Sequence, residues 1–434
     1  MDTISANQMA LWLSWPSVVG EFCPSALAGG TAGQLPAVPW PEADPRVTDV
    51  RAPFRESVRA CMAGHETVAV SISGGLDSLA VLIEASRIAA EEGRRVIAVV
   101  AELTDDAGVS NVPVVERLVA AAGLDEIELH TVGVAESPKQ QPTWRPYGPD
   151  LDALPLANRR LAELAAERGA TVMLGGNGAD ETLGAVRYLM ASYARAARWD
   201  AARSYWSDSI GTHREARLAE GIAAAARPLP RRWRAFVYVA MEWPELCTQA
   251  DAPDVIEEDL REQVSTWSAT WIKTLVRFHA THHRTWAQAA AWDAVFPLTV
   301  LAGPGPIPWR HPFLTAQFIN AVQRLPIARR YDPRLPHAYW RQKAQILALL
   351  PDGMRNVLPT AKQTFRTELA QRYAAEKTPA ACLIEHGIVS RTRWQAAQDP
   401  LIVGRVNALE EWMLEAVARG YSITRESREL TGKS

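Results

Sequence analysis

The stretch VAVSISGGLDSLAVLIEAS, residues 68–86, passes from a run with the character of a buried strand, through Ser73-Gly74-Gly75-Leu76-Asp77-Ser78, into an apolar helical pattern. A strand-to-helix turn with two glycines leaves consecutive main-chain N–H groups unpaired at the positive end of a helix dipole, which makes an anion cradle. The pattern Gly-x-x-x-x-Gly-Lys-Ser/Thr, whose lysine grips the outer phosphates, is absent from the turn. Terminal phosphoryl transfer is therefore not the natural reading. Asp77 instead sets a carboxylate beside the cradle, suited to a magnesium ion that bridges phosphates.

Around this turn the chain alternates. A helical pattern, FRESVRACMAG (54–64), precedes the strand TVAVSIS (67–73), and the helix LAVLIEASRIAAEEG (79–93) follows, stopped by Gly93. Next come the strand RVIAVVAEL, the helix VPVVERLVAAAG, the strand EIELHTVGV, the helix PLANRRLAELAAERG and the strand ATVMLGG, which ends at Gly176. Strands separated by single helices predict an α/β fold with a doubly wound parallel sheet. After about residue 185 strand signals fade, and segments such as YLMASYARAARWDAARSYW and STWSATWIKTLVRFHATHH read as helices, with proline-marked breaks near 228–230, 304–312 and 351–359. Residues 1–53 carry Pro16, Pro24, Pro36, Pro39, Pro41, Pro45 and Pro53 and a Gly-Gly-Thr-Ala-Gly stretch, a wrapping or linker composition. The expected organisation is this N-terminal segment (1–53), an α/β nucleotide-binding domain (54–200) and a mainly helical lobe (201–434). Ligand is expected at the carboxyl ends of the strands, against the lobe.

The 434 residues suffice for two domains of ordinary size. With 48% apolar residues, 22% charged and a net charge of −3, the global field gives no reason to expect a nucleic-acid or membrane partner. The first basic residue is Arg46, there is no cleavable signal pattern, and no apolar run approaches a membrane span, so the expected location is cytoplasmic. Cys23, Cys61, Cys247 and Cys382 lie far apart with no Cys-x-x-Cys pair, against a zinc site or a disulfide framework. Tryptophan is unusually frequent, with 16 copies, most of them after residue 190, which predicts a core or cleft of large flat side chains there.

Ser-Gly-Gly-x-Asp-Ser after a strand resembles the pyrophosphate loop of the ATP pyrophosphatase superfamily, whose members release pyrophosphate and transfer AMP. A second loop, ATVMLGGNGADETLGAVRYL (170–189), is similar to the Gly-x-Gly-x-Asp-Glu segment of the asparagine synthetase family. That resemblance implies Asp77 and Asp180 as ligands of Mg²⁺, and Ser73, Gly74, Gly75, Leu76, Asp77, Ser78, Gly175 and Gly176 as ATP-binding residues. PDGMRNVLPTAKQTF (351–365) resembles the family's Leu-Pro-…-Lys-x-x-Phe region, which implies Lys362 as the lysine of the tetrahedral intermediate and pyrophosphate. WRHPFLTAQFINAVQRLP (309–326) is like the family's Arg-x-Pro-Phe-Leu-Asp helix, keeping Arg310, Pro312 and Phe313, with Thr315 in place of the aspartate. WRQKAQILALLP brings Lys343 to roughly the family's other lysine, with poor spacing. The resemblance covers about 60–375.

Two departures matter. The glutamine-dependent synthetases begin with a cysteine nucleophile on an amidotransferase domain, whereas this chain starts Met1-Asp2 and is too short for that domain. The expected amine is therefore free ammonia, a substrate amine or the product of a partner. Asn177 stands where asparagine synthetases carry a glutamate and β-lactam synthetases a tyrosine, and an amide cannot take a proton. The base must then be another group, the nucleophile neutral, or pyrophosphate the acceptor; Glu181 is adjacent. The expected function is an AMP- and pyrophosphate-forming amide ligase without its own glutaminase, using ATP and Mg²⁺ in specialised metabolism. Asp77, Asp180 and Lys362 are its catalytic candidates, with Asn177, Glu181 and Arg310 toward the substrate. The alternative is a macrolactam cyclase of the lasso-peptide type, which CLIEHGIVSRTRW (382–394) resembles, acting on a precursor peptide. The expected partners are thus a small carboxylate and amine, or a peptide, with the oligomeric state open. A tRNA-modifying enzyme, which typically needs paired cysteines, and a non-catalytic nucleotide binder are the rivals from other classes.

Weaker signals remain. His279 and His283 fall at i, i+4 on a helical segment, the spacing of a two-histidine metal site, yet no acidic or third ligand is suitably spaced, so core or solvated histidines are expected. Arg227, Arg231, Arg232 and Arg234 read as a solvated helix start, with a grip on an anionic substrate or a peptide as the alternative. Trp267, Trp271, Trp286 and Trp292 read as core, with a pocket for an aromatic or peptide substrate as the alternative.

Overall fold

The computed structural model describes residues 3–14, 43–133, 136–139, 144, 148–149, 155–212, 214–242, 253–295, 305–368 and 377–425. Five of the prolines that mark the N-terminal segment, its Gly-Gly-Thr-Ala-Gly stretch, Cys23 and Cys247 lie outside them.

Among the described residues seven strands form two parallel sheets: β1 (Thr3–Ser5), β2 (Thr67–Ser71), β3 (Arg95–Ala101), β4 (Glu128–Val132), β5 (Val172–Leu174), β6 (Trp309–Arg310) and β7 (Ser422–Thr424). The larger sheet runs β4-β3-β2-β5-β6, every pair parallel. Side chains alternate across it. Val68, Val70, Ala98, Val100, Val172 and Leu174 enter one core with the helices Arg51–Met62 and Leu76–Glu92. Ala69, Ile97, Val99 and Met173 enter another, under the helix Pro155–Glu167. Near-continuous apolar strands are what burial on both faces requires.

The helix Leu76–Glu92 stops where Gly93 turns left-handed at φ 67°, the conformation that a residue without Cβ adopts at least cost. Strand order reverses between β2 and β5, because the chain moves outward through β3 and β4 and then returns to the other side of β2. Parallel α/β sheets open their ligand crevice at such a point.

Two features differ from the sequence pattern. β6 arrives from beyond the helical segments as a two-residue fifth strand, too short and too close to Pro308 and Pro312 to show periodicity. Residues 3–14, in the segment of linker composition, supply β1 and the helix Ala6–Ser14, all nine residues of which are buried. That helix packs on the helices Glu258–His282 and Pro400–Ala418, and β1 pairs with β7. The helical core that results takes in Trp271, Trp286, Trp292, Trp394 and Trp412. No described helix is long and apolar enough to cross a membrane.

Candidate active site at the strand-order reversal

The turn after β2 needs Gly74, whose φ of 86° is left-handed. The Ser73 amide donates to Ser78 Oγ (3.2 Å), which closes the turn on itself, and Asp77 occupies the first turn of the helix. The second loop lies against this turn. A Cβ on Gly176 would stand 2.8 Å from the Ser78 nitrogen, so only glycine lets the two main chains approach this closely. Gly178, at φ 87°, leads into the short helix Ala179–Leu183, which carries Asp180 and Glu181. Gly175 rests on the ring of His311, where a Cβ would come within 2.8 Å. Burial lowers the His311 pKa to about 4, keeping the ring neutral.

The two carboxylates converge on one cation. Lys343 Nζ donates to Asp77 Oδ2 (2.5 Å) and lies 2.8 Å from Asp180 Oδ1. Burial opposes the charge on Lys343, but Asp77 and Asp180 outweigh it and hold its pKa above the ordinary value. Asp77 is raised, first by burial, whereas at Asp180 the charge and hydrogen bond of Lys343 overcome burial and lower it. Lys362 approaches Asp180 Oδ2 at 3.4 Å from the open side, its side chain 66% exposed against 6% for Lys343. One lysine is fixed inside the cluster and the other is free to move at its rim.

Asp77 Oδ1 is buried without a hydrogen-bond partner, and no described group of three or more acidic, histidine or cysteine side chains encloses a metal. Two convergent carboxylates with a spare oxygen fit a magnesium ion that draws its other ligands from phosphate and water.

Ser73, Gly74, Gly75, Leu76, Asp77, Ser78, Gly175, Gly176, Asp180 and Lys362 thus come together. Asn177 is at the exposed tip of the second loop. Arg310 turns away, its Nη1 donating to the Cys61 carbonyl (2.8 Å) at the end of the helix Arg51–Met62. Thr315 caps the helix Ala316–Val322 by accepting from the Phe318 amide, a task its hydroxyl performs as an aspartate would.

The sequence brought Lys343 only roughly to the family's other lysine, with poor spacing, and did not single out a cavity of about 310 Å³ beside the cluster. Asp180, Glu181, Glu242 and Asp293 line that cavity, together with Arg187. Burial raises the Glu181 and Glu242 carboxyls, and Arg187 pairs with Glu242 at 2.8 Å. Arg330, wholly buried, braces the region by donating to the Glu181 carbonyl (3.1 Å). His279 and His283 are core residues, joined through their Nδ1 atoms (2.8 Å); His279 Nε2 is 3.1 Å from Asp293 Oδ1.

The sequence profile described as asparagine synthase matches residues 49–378. No curated protein matches the chain.

Proposed function

The chain belongs to the asparagine synthase family, a family of ATP-dependent ligases, and from that premise we propose that it activates a carboxylate as an acyl-adenylate and couples it to a free amine, releasing pyrophosphate and AMP. The observation that carries this reading is the convergence of Asp77 and Asp180, one from each glycine loop, on a single point at the strand-order reversal. Loop amides at residues 73–76 hold the outer phosphates, and the helix dipole behind them favours that charge. With no lysine in the turn, the inner phosphorus is left open to a carboxylate oxygen. Asp77 and Asp180 would hold a Mg²⁺ ion, which would supply positive charge for the departing pyrophosphate.

Lys343 sits where the two aspartates need a counter-charge and fixes their orientation. Lys362 reaches in from the rim toward the oxyanion that forms when the amine attacks the acyl carbon. Dividing the reaction makes chemical sense, since a carboxylate is a poor electrophile until its oxygen becomes a good leaving group. A role in specialised biosynthesis agrees with the changed residue at Asn177; that setting rests on analogy.

The test is incubation with ATP, Mg²⁺ and panels of acids and amines. AMP and pyrophosphate are the expected products, and ADP would refute the proposal. Asp77→Ala should abolish turnover. Lys362→Ala should lower amide formation roughly 100-fold with an unchanged thermal midpoint, since an exposed side chain contributes little to stability.

A further inference from the structure

The cavity beside the nucleotide loops is built from three separated segments of the chain. Asp180 and Glu181 form the wall that adjoins the Lys343 cluster, and Glu242 and Asp293, on the helices Arg231–Glu242 and Trp286–Val295, form the opposite one. Among the described residues Arg187 is the one basic residue lining it, and it is engaged with Glu242. The two outer acids are held in place rather than left to sway. Tyr238 donates to Asp293 Oδ2 (2.5 Å), His279 approaches its other oxygen, and Tyr188 donates to Glu242. Asp180 is answered by Lys343 and Lys362. Glu181 faces the cavity with no lysine or arginine side chain paired to it among the described residues.

A ligase of this kind has two organic reactants, one an acid and the other an amine. A cavity of about 310 Å³ with four carboxylates and one arginine repels the acid. It suits the amine in its protonated form, and its volume is that of a small-ligand site. We infer that this cavity is the amine site, and that it selects a primary ammonium group through Glu181, Glu242 and Asp293, with Asp180 marking its junction with the adenylation centre. This deepens the proposed function and rests on it. The ammonium belongs to a small alkylamine or to the amino terminus of a peptide. On arrival beside Asp180 it must lose a proton before its nitrogen attacks the acyl carbon. Glu181, which lines the cavity at that junction, is the acceptor within reach of that proton.

The experiment has two arms on the full chain. In the first, equilibrium titration compares putrescine with succinate, a dicarboxylate of the same carbon count, and a glycine-initiated peptide with its N-acetylated form. Binding of putrescine or of the free peptide, and of neither succinate nor the capped peptide, is expected; which one binds tells the two sources apart. Glu242→Gln should weaken that binding tenfold or more. So should Ala294→Lys, which sets a fixed cation in the cavity from a half-exposed position without touching the acids. Equal binding of the diamine and the dicarboxylate, or of the capped and free peptides, overturns the inference, as does no binding of any amine.

The second arm measures ATP–pyrophosphate exchange with panels of acids, which needs no amine. Amine binding without exchange refutes the ligase reading and leaves the cavity's charge selection standing. Exchange with turnover indifferent to the charge of the amine refutes the cavity assignment and leaves the ligase. With an active acid, Asp293→Asn should raise the KM for the amine at least tenfold while that for ATP holds. An equal loss in both half-reactions would make Asp293 a structural residue only.

Discussion

At the scale of the residue, Lys343 is the most consequential side chain in the cluster. Its buried ammonium is the counter-charge of two carboxylates that are each partly exposed. Removing one partner of a fully buried ion pair typically costs about 3–5 kcal/mol, because the charges left behind have no compensation, and solvent at the partly exposed aspartates makes the cost here smaller. Lys343→Met should therefore lower the thermal midpoint by several degrees, and Mg²⁺ should restore part of the loss by supplying positive charge to Asp77 and Asp180. An equal loss with and without Mg²⁺ would contradict the proposed metal ligands. His311 predicts a pH effect of definite sign. Its pKa falls from 6.5 to about 4 in the folded chain, so below pH 6.5 the unfolded state binds the proton first. Stability is fully present above pH 6.5, declines as pH falls toward 4, and levels off below, with roughly 3 kcal/mol at stake. Urea unfolding of His311→Phe across that window should show a shallower decline than the parent.

At the scale of the element, the two loops act as one body because their main chains touch at Gly176. A Cβ there would meet backbone rather than a side chain that could move aside. Gly176→Ala should part the loops by a few tenths of an ångström or more and lower the adenylation rate by about 100-fold, the scale on which small misplacements act. Gly221 is the control, since it lies within the helix Arg214–Ala225 with open space at its Cβ position. Gly221→Ala should raise stability by about 1 kcal/mol with the rate unchanged. The same contrast explains what could be read in advance. Each glycine loop was legible because its residues, its preceding strand and its following helix are contiguous, so one window of sequence holds the whole device. Lys343 stands 266 residues from Asp77, and no local pattern marks that meeting. β6 has two residues and no room for a period. The acidic cavity draws on three separated segments, none acidic enough alone to stand out. Arg310 keeps the residue identity that the resemblance asks for, yet its guanidinium serves a main-chain carbonyl.

At the scale of the whole molecule, the helix Ala6–Ser14 belongs to the same core as the helices that carry Glu242 and Asp293. It buries Met9, Leu11, Trp12 and Leu13, and a large apolar side chain contributes about 1.5–3 kcal/mol when fully buried. Their sum is comparable with the ~5–15 kcal/mol that holds a typical domain together. Deleting residues 1–14 should expose the helices Glu258–His282 and Pro400–Ala418 to rapid amide exchange while β2 and β3 keep their protection. Uniform protection throughout would show the segment to be dispensable. Thr3 meets Ser422 across 419 residues of chain. During synthesis at roughly 5–20 residues per second, the opening strand therefore emerges on the order of 20–80 seconds before its mate exists. For that interval a helix destined for complete burial waits at the ribosome with nothing to cover it, and the last lobe to close is the one that shapes the acidic cavity.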